Sequence, residues 1–254
     1  MNFRFIPAVV LFLLAGMVWI VSCKKQEPET VDLGLNYFPD RVGSYVELEV
    51  DSMVQDDNLP FDSTYKYRLK IVVAGTFTDN SGRPSLRIER FRKKFNPNIP
   101  YAQMSWVLSD VWYATRTLTG LEQVEENVKF HKLVFPPRKS ETWNGNAYNV
   151  FEAWPYKYKT VHVRETINNF SFDSVITVQQ INQENIVEHK FSIEKYAKGI
   201  GLVYKEYALY QTNQADSTDT PPYDDTLGLG LIPAYWYYPD KAVFYKARIV
   251  SWGN

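Results

Sequence analysis

The thiol of Cys23 is the most distinctively placed reactive group in this 254-residue chain: it is the only cysteine, and it ends an uncharged run from Phe5 to Ser22. A thiolate is a nucleophile open to covalent modification, so the position suits attachment of another group. Little else in the sequence offers chemistry. His131, His162 and His189 are the only histidines, no two stand at metal-ligand spacing, and no second cysteine completes a zinc set. There is no Gly-x-Ser-x-Gly elbow, no His-Glu-x-x-His and no phosphate loop. Glu125, Glu126, Glu141 and Glu165 are carboxylates with no pattern that selects a catalytic pair. Asp216, Asp219, Asp224 and Asp225 form an acidic stretch that could supply oxygen ligands to calcium. It lacks the ligand order and glycine of an EF-hand, and a solvated loop is the plainer reading. The expectation is a non-enzymatic protein without cofactor or metal.

The residues before Cys23 explain its placement. Met1 to Arg4 form a short start with one fixed positive charge, and an apolar segment runs from Phe5 to Val21. A charged start, an apolar stretch and a small residue before a cut make a secretory signal. About 18 apolar residues can also just span a bilayer as a helix, so a plain membrane anchor is the competing reading. Ile20-Val21-Ser22-Cys23 resembles the lipobox of bacterial lipoproteins. The resemblance implies cleavage before Cys23, a diacylglycerol thioether on its sulfur and acylation of its new amino group. Residues 1–22 are then a cleaved signal helix. Residues 23–34, opening Lys24-Lys25-Gln26-Glu27-Pro28-Glu29-Thr30, form a polar tether. No Asp follows Cys23; in enterobacterial lipoproteins that Asp retains the protein in the inner membrane, so the outer membrane is favoured. The tether is similar to the surface-export signals of Bacteroidota lipoproteins but lacks consecutive acidic residues. Periplasmic face and cell surface both stay open.

Composition bounds the rest. The 28 Lys and Arg, of which Arg4 lies in the signal, stand against 29 Asp and Glu. No basic field is present to attract nucleic acid. An apolar content of 45% supports a real core. With Cys23 acylated no disulfide can form, leaving burial and backbone pairing to hold the fold. Eighteen Tyr, 15 Phe and 7 Trp, with many Val, Ile and Thr, favour pleated sheet.

Period-2 alternation recurs along the mature chain. Val46, Leu48 and Val50 alternate with Tyr45, Glu47 and Glu49. Tyr65, Tyr67, Leu69, Ile71 and Val73 oppose Lys66, Arg68 and Lys70. Asp79-Asn80-Ser81-Gly82 offers a turn, after which Leu86 and Ile88 resume the pattern. Further strands are expected near 105–118, 121–134, 157–167, 170–181, 185–196, 201–211 and 241–252. The fold class is all-β: residues 35–254 form a single antiparallel meander of about ten strands, a curved sheet or half-barrel, with a β-sandwich as alternative. Two loops interrupt it. One runs from Phe135-Pro136-Pro137 to Asn149 and contains Asn144-Gly145, a pair suited to positive φ. The other, Gln211 to Pro239, is too long for an ordinary hairpin.

The mature part also resembles a group of Bacteroidota outer-membrane lipoproteins. The matching residues are Tyr37-Phe38-Pro39 with Val42-Gly43-Ser44-Tyr45, Leu133-Val134-Phe135-Pro136 with Trp143-Asn144-Gly145-Asn146 and Asn149, and Tyr196 to Glu206 around Gly199-Ile200-Gly201. More distantly such proteins resemble the half-barrels of periplasmic lipoprotein carriers. No activity comes with the resemblance. On their own chemistry, the glycines at 199 and 201 suit a bulge or bend. Ile200, Leu202 and Tyr204 are expected on one face, and Trp143 over a barrel end.

Three roles follow as expectations. The first is an envelope lipoprotein that binds an apolar ligand or docks an outer-membrane partner, since the mouths of β-barrels are common ligand sites. The second is a surface glycan-binding module, with Trp143, Trp154, Tyr156, Tyr235, Trp236, Tyr237 and Tyr238 as candidate contacts. The third, a hydrolase of envelope polymers, would need a carboxylate or histidine cluster in a cleft. Ser52, Ser63, Ser174, Ser217 and Thr226 each follow an Asp in a triplet similar to the O-glycosylation sequon of Bacteroidota, and are candidate modification sites. Asp-Ser pairs also form turns.

Overall fold

Alternating side chains with charge on one face and aliphatics on the other build long antiparallel strands that curl around the aliphatic face. The computed structural model describes residues 32–56, 63–185, 187–211 and 241–254. The signal, Cys23, most of the tether, the acidic stretch and Tyr235 to Tyr238 lie outside them, as do Ser217 and Thr226.

Twelve strands are described: β1 (Tyr45–Asp56), β2 (Ser63–Thr78), β3 (Pro84–Lys94), β4 (Val107–Arg116), β5 (Gly120–Glu125), β6 (Val128–Val134), β7 (Thr142–Asn144), β8 (Pro155–Ile167), β9 (Phe170–Glu184), β10 (Glu188–Ala197), β11 (Gly201–Gln211) and β12 (Lys241–Gly253). They form one sheet in the order β6-β5-β4-β3-β2-β1-β12-β11-β10-β9-β8-β7, and every pairing is antiparallel. The first and last strands pair at its centre, with the two halves of the chain meandering away to either side. The two edges, β6 and β7, are neighbours in sequence.

The structure is therefore all-β and nearly closed into a barrel, with two strands more than the sequence suggested. One of these comes from the segment 121–134, expected as a single strand. Glu126 and Asn127 adopt φ of 48° and 64°, which folds it into the β5–β6 hairpin. The other is β7, too short to carry a visible alternation.

The edges meet through one backbone bond and several bonds from side chains to backbone. The His131 amide donates to the Gly145 carbonyl at 2.8 Å, and Trp143 Nε1 donates to the His131 carbonyl at 2.8 Å. The Tyr158 hydroxyl donates to the Val134 carbonyl at 2.7 Å and accepts from its amide at 3.2 Å. Asn149 Nδ2 reaches the Lys129 carbonyl at 2.8 Å. An open edge presents unpaired donors and acceptors; here β6 has them covered. Trp143 packs against Tyr156, Tyr158 and His131, so it lies in this seam rather than over a barrel end.

Asn144-Gly145 is not the positive-φ turn its composition suggested. A Cβ on Gly145 would lie 2.1 Å from Tyr156 Cε1, so the glycine is there for close approach of that ring. Gly199 and Gly201 do take φ of 79° and 99° in the β10–β11 turn. A register shift beside it pairs Lys195 with Tyr204 and Tyr196 with Leu202. The shift takes Tyr204 off the face of Ile200 and Leu202, against the simple alternation.

The outer face of the central strands carries a ladder of ion pairs, Glu47 with Lys70, Glu49 with Arg68 and Asp51 with Lys66. Inside, Leu48, Val50, Leu69, Ala247 and Ile249 form an apolar layer at the centre of the sheet. Ile88, Ala114, Leu121, Leu133, Ile176 and Val178 bring the far strands together. Tyr37, fully buried on a 3₁₀ turn (Leu35–Tyr37), joins this second group. Its hydroxyl meets His162 Nδ1 and Ser174 Oγ, each at 2.6 Å. His162 sits at φ 57° in an irregular part of β8 rather than in plain alternation.

Candidate functional site

Strand number sets how much room a barrel encloses. About eight strands leave an interior that side chains can fill, and more leave space. Twelve strands here surround a cavity of about 630 Å³. Its wall draws on every long strand, and Phe38 and Pro39 enter it from the N-terminal segment.

Register gives the interior two levels. Ile88 pairs with Trp112, and the next inward pair is Arg90 with Asp110. Tyr196 pairs with Ile176 and Glu194 with Val178, beyond which lie Ser192 and Gln180. The apolar level thus gives way to a polar belt within one inward step along several strands. Aliphatic and aromatic walls come from Val46, Leu48, Leu69, Ile71, Leu202 and Trp154. The belt comes from Arg90, Gln123, Glu125, Lys132, Gln180, Ser192, Glu194 and Lys205.

The belt is charged, and its central pair, Lys132 and Glu194, is buried. Lys132 Nζ lies 2.7 Å from Glu194 and 3.1 Å from Glu125. Lys205 reaches Glu194 at 3.0 Å, and the Tyr196 hydroxyl donates to it at 2.6 Å. Burial alone would push the Lys132 ammonium toward neutrality. Glu125 and Glu194 overcome that and hold its pKa well above the ordinary value. Burial likewise opposes ionisation of Glu194, but Lys132 and Lys205 bring its pKa down to about 2. Both stay ionised at neutral pH. The neighbouring Tyr156 and Tyr196 hydroxyls are pushed up by burial and stay protonated.

Arg90, 7% exposed, donates to Asp110 at 3.1 Å and lies 3.7 Å from the Trp112 ring centre. Its Nε has no hydrogen-bond partner among the described residues, and neither has Gln180 Nε2. Gln180 is 4% exposed and spends its other atom, Oε1, accepting from Ser192 at 2.7 Å.

The candidates from sequence fall in different places. Trp154 and Tyr156 line the cavity, and Tyr156 is buried. Trp143 holds the seam instead. Packed in this way, Tyr156 and Trp143 are not free ring faces on an outer surface. Ser52 also lines the cavity, Ser63 opens β2, and Ser174 is bonded to Tyr37. The candidate carboxylates do not converge as a set. Glu125 joins the belt, Glu126 accepts from Trp112 Nε1, and Glu165 pairs with Lys195. Among the described residues no group of three or more His, Cys, Asp or Glu gathers to hold a metal ion.

Sequence reasoning missed the belt. Its signal was present in Phe130-His131-Lys132 and Glu194-Lys195-Tyr196, where a charge shares parity with an aromatic residue. That parity marks an inward charge once the inner face is known.

No family model and no curated protein matches the chain. Among solved structures it is similar to a "putative outer membrane lipoprotein-sorting protein domain" from Vibrio parahaemolyticus. The two share 9% identity over 85% of this chain and 87% of that one, with a TM-score of 0.20. At that level of superposition, ligand and role have to be argued from this chain's own residues.

Proposed function

We propose that this is a non-enzymatic, lipid-anchored envelope lipoprotein that holds an apolar ligand in its barrel. The observation that carries the reading is the cavity: about 630 Å³, walled mainly by apolar and aromatic side chains. Small-molecule sites span roughly 300–1,000 Å³ and combine such walls with a few placed polar groups. The anchor rests on Cys23 within Ile20-Val21-Ser22-Cys23, and the absence of Asp after it favours the outer membrane. Docking of an outer-membrane partner is compatible with the same role, as delivery or collection of the ligand.

Two experiments test this. The purified protein should enhance the fluorescence of diphenylhexatriene, a hydrocarbon probe, with saturable binding. Ile71→Trp or Leu202→Trp, each adding bulk to the wall, should weaken it tenfold or more. A folded protein that leaves the probe dark, or wall variants that bind it unchanged, would remove the lumen reading. In cells, Cys23→Ser should abolish incorporation of labelled fatty acid, and unchanged incorporation would remove the anchor.

A further inference from the structure

We infer that the barrel wall carries a strand-addition site, at which the free edge of β4 over residues 107–111 pairs with an extended, basic segment of a partner protein. The inference gives the docking role named above a surface and a partner class, and it depends on neither the lumen ligand nor the anchor.

The site begins with unequal strand lengths. β4 pairs with β3 from Val107 to Ala114, but with β5 only from Tyr113 to Arg116. The β5–β6 hairpin turns back at Glu126 and Asn127, so no described strand runs beside the first half of β4 on that side. The Thr117 amide donates to the Gly120 carbonyl, and backbone groups alternate sides along a strand. Thr115, Tyr113 and Val111 therefore direct theirs to the same side as Thr117. Thr115 meets Glu122 and Tyr113 meets Val124, whereas Val111 meets no described strand.

The far rim of this notch is the β7–β8 connection. Gly145 lies beside His131 and Asn149 beside Lys129, so the loop follows β6 back toward its start. Val150 and Phe151 come next, past the level of Lys129 and beside the hairpin turn. The loop is tied in place: Asn146 Nδ2 donates to the Glu152 carbonyl at 2.6 Å, and the Phe151 amide to Asn149 Oδ1 at 2.9 Å. β4 and β7 are three places apart, about 14 Å at the usual strand spacing. That leaves room for added chain where the hairpin stops. Val107, Leu108 and Val111 on one rim, and Tyr148, Val150 and Phe151 on the other, are all exposed, Val150 at 97%. Apolar side chains held out on a tied loop and along an open strand edge mark an interaction surface.

The occupant follows from what the notch lacks. Unpaired backbone groups are matched by another backbone, and strand addition supplies one, with alternate side chains reading the rims. Glu126 and Glu152 flank the notch, both exposed and neither in an ion pair among the described residues. They select a segment that carries lysine or arginine beside its apolar residues. A second copy of this chain is a poorer match, because pairing two β4 edges would set the same acids against each other.

Hydrogen exchange on the purified chain tests the edge directly. The Val111 amide should exchange at least tenfold faster than the Tyr113 amide, one inward step along the same strand. A random-peptide phage library is then selected against the parent and counter-selected against Val111→Pro, which deletes the amide at an edge that tolerates proline. Enriched sequences should alternate apolar residues and include lysine or arginine. A synthetic copy should slow exchange at Val111 tenfold or more, and should bind Val111→Pro at least tenfold more weakly. Val111→Lys keeps the amide but repels a basic segment, and should weaken binding similarly; a parent-like urea midpoint certifies that each variant is folded. Glu126→Gln/Glu152→Gln should weaken binding severalfold. A Val111 amide already protected in the free chain would overturn the inference, and loss of that protection on dilution would assign the edge to a second copy. Enrichment of no sequence over the Val111→Pro protein, or equal binding to parent and variants, would overturn it too. Diphenylhexatriene binding reads the lumen separately, so either reading can fail alone.

Discussion

Replacing Glu194 by Gln removes one charge from the centre of the belt while keeping its shape. Glu194 is 1% exposed and ties Lys132 at 2.7 Å, Lys205 at 3.0 Å and Tyr196 at 2.6 Å. Breaking a buried pair by removing one partner costs about 3–5 kcal/mol, because the other charge is left uncompensated. Lys132 keeps Glu125 at 3.1 Å, which puts the expected cost near the lower end, about 3 kcal/mol. Proton linkage acts in the same direction, because Lys132 and Lys205 hold the Glu194 carboxyl below its ordinary value in the folded state. The sign follows from the lowered pKa. That stability is present above pH 4.5 and is lost as pH falls through 4.5 toward 2. Urea unfolding at pH 7 should show the midpoint of Glu194→Gln lowered by about 1 M at unchanged slope. The parent should lose stability on acidification below about pH 4.5 more steeply than the variant. Lys132→Met should be similarly costly alone. The double variant Lys132→Met/Glu194→Gln should cost about as much as either single, a coupling of about 3 kcal/mol, because each single already breaks the pair and Glu125 and Lys205 lose one partner only. A Glu194→Gln midpoint equal to the parent's, or single effects that simply add, would refute the belt as a coupled buried network.

Two further substitutions test the closure of the barrel. Gly145→Ala places a methyl 2.1 Å from the Tyr156 ring in the seam. It should destabilise by about 2–3 kcal/mol in urea unfolding, with partial recovery in Gly145→Ala/Tyr156→Leu; a neutral Gly145→Ala would show that the ring is free to move aside. Tyr158→Phe deletes both bonds to Val134 and should cost about 1–3 kcal/mol. Hydrogen exchange at the Val134 amide should accelerate while the β1–β12 amides keep their protection. Unchanged protection at Val134 would mean that the tyrosine does not hold the edge.

The central strands were legible because their two faces carry opposite chemistry. Glu47, Glu49, Lys66, Arg68 and Lys70 stand opposite Val46, Leu48, Leu69 and Ile71, and one glance at parity separates them. The same parity failed wherever the backbone adds a residue. The bulge at Lys195/Tyr196 puts Tyr204 and Leu202 on opposite faces, and the irregular β8 lifts His162 out of alternation. Closure was out of reach for a different reason. It depends on bonds from Trp143, Tyr158 and Asn149 to backbone groups on β6, and a backbone acceptor leaves no mark in sequence. The cavity wall was half visible: Trp154 and Tyr156 were candidates for their aromatic character, whereas Lys132 and Glu194 carry charges whose inward direction shows only once the inner face is known.

The polar belt bears on why the barrel has twelve strands at all. An eight-stranded barrel can close over its own side chains, and an apolar filling would generally be at least as stable as buried ions. This chain does the opposite in both respects. It widens the sheet beyond what its own side chains fill, inserts Phe38 and Pro39 and still leaves about 630 Å³. It then commits Lys132, Glu194 and Glu125 to a charged network on the lumen side. Each feature costs stability relative to a filled apolar interior. Under the proposed function these costs are offset when a ligand enters the lumen and fills its apolar level. Such a ligand would raise the stability of the domain by binding its folded state alone. The same contacts then make the binder and complete the fold.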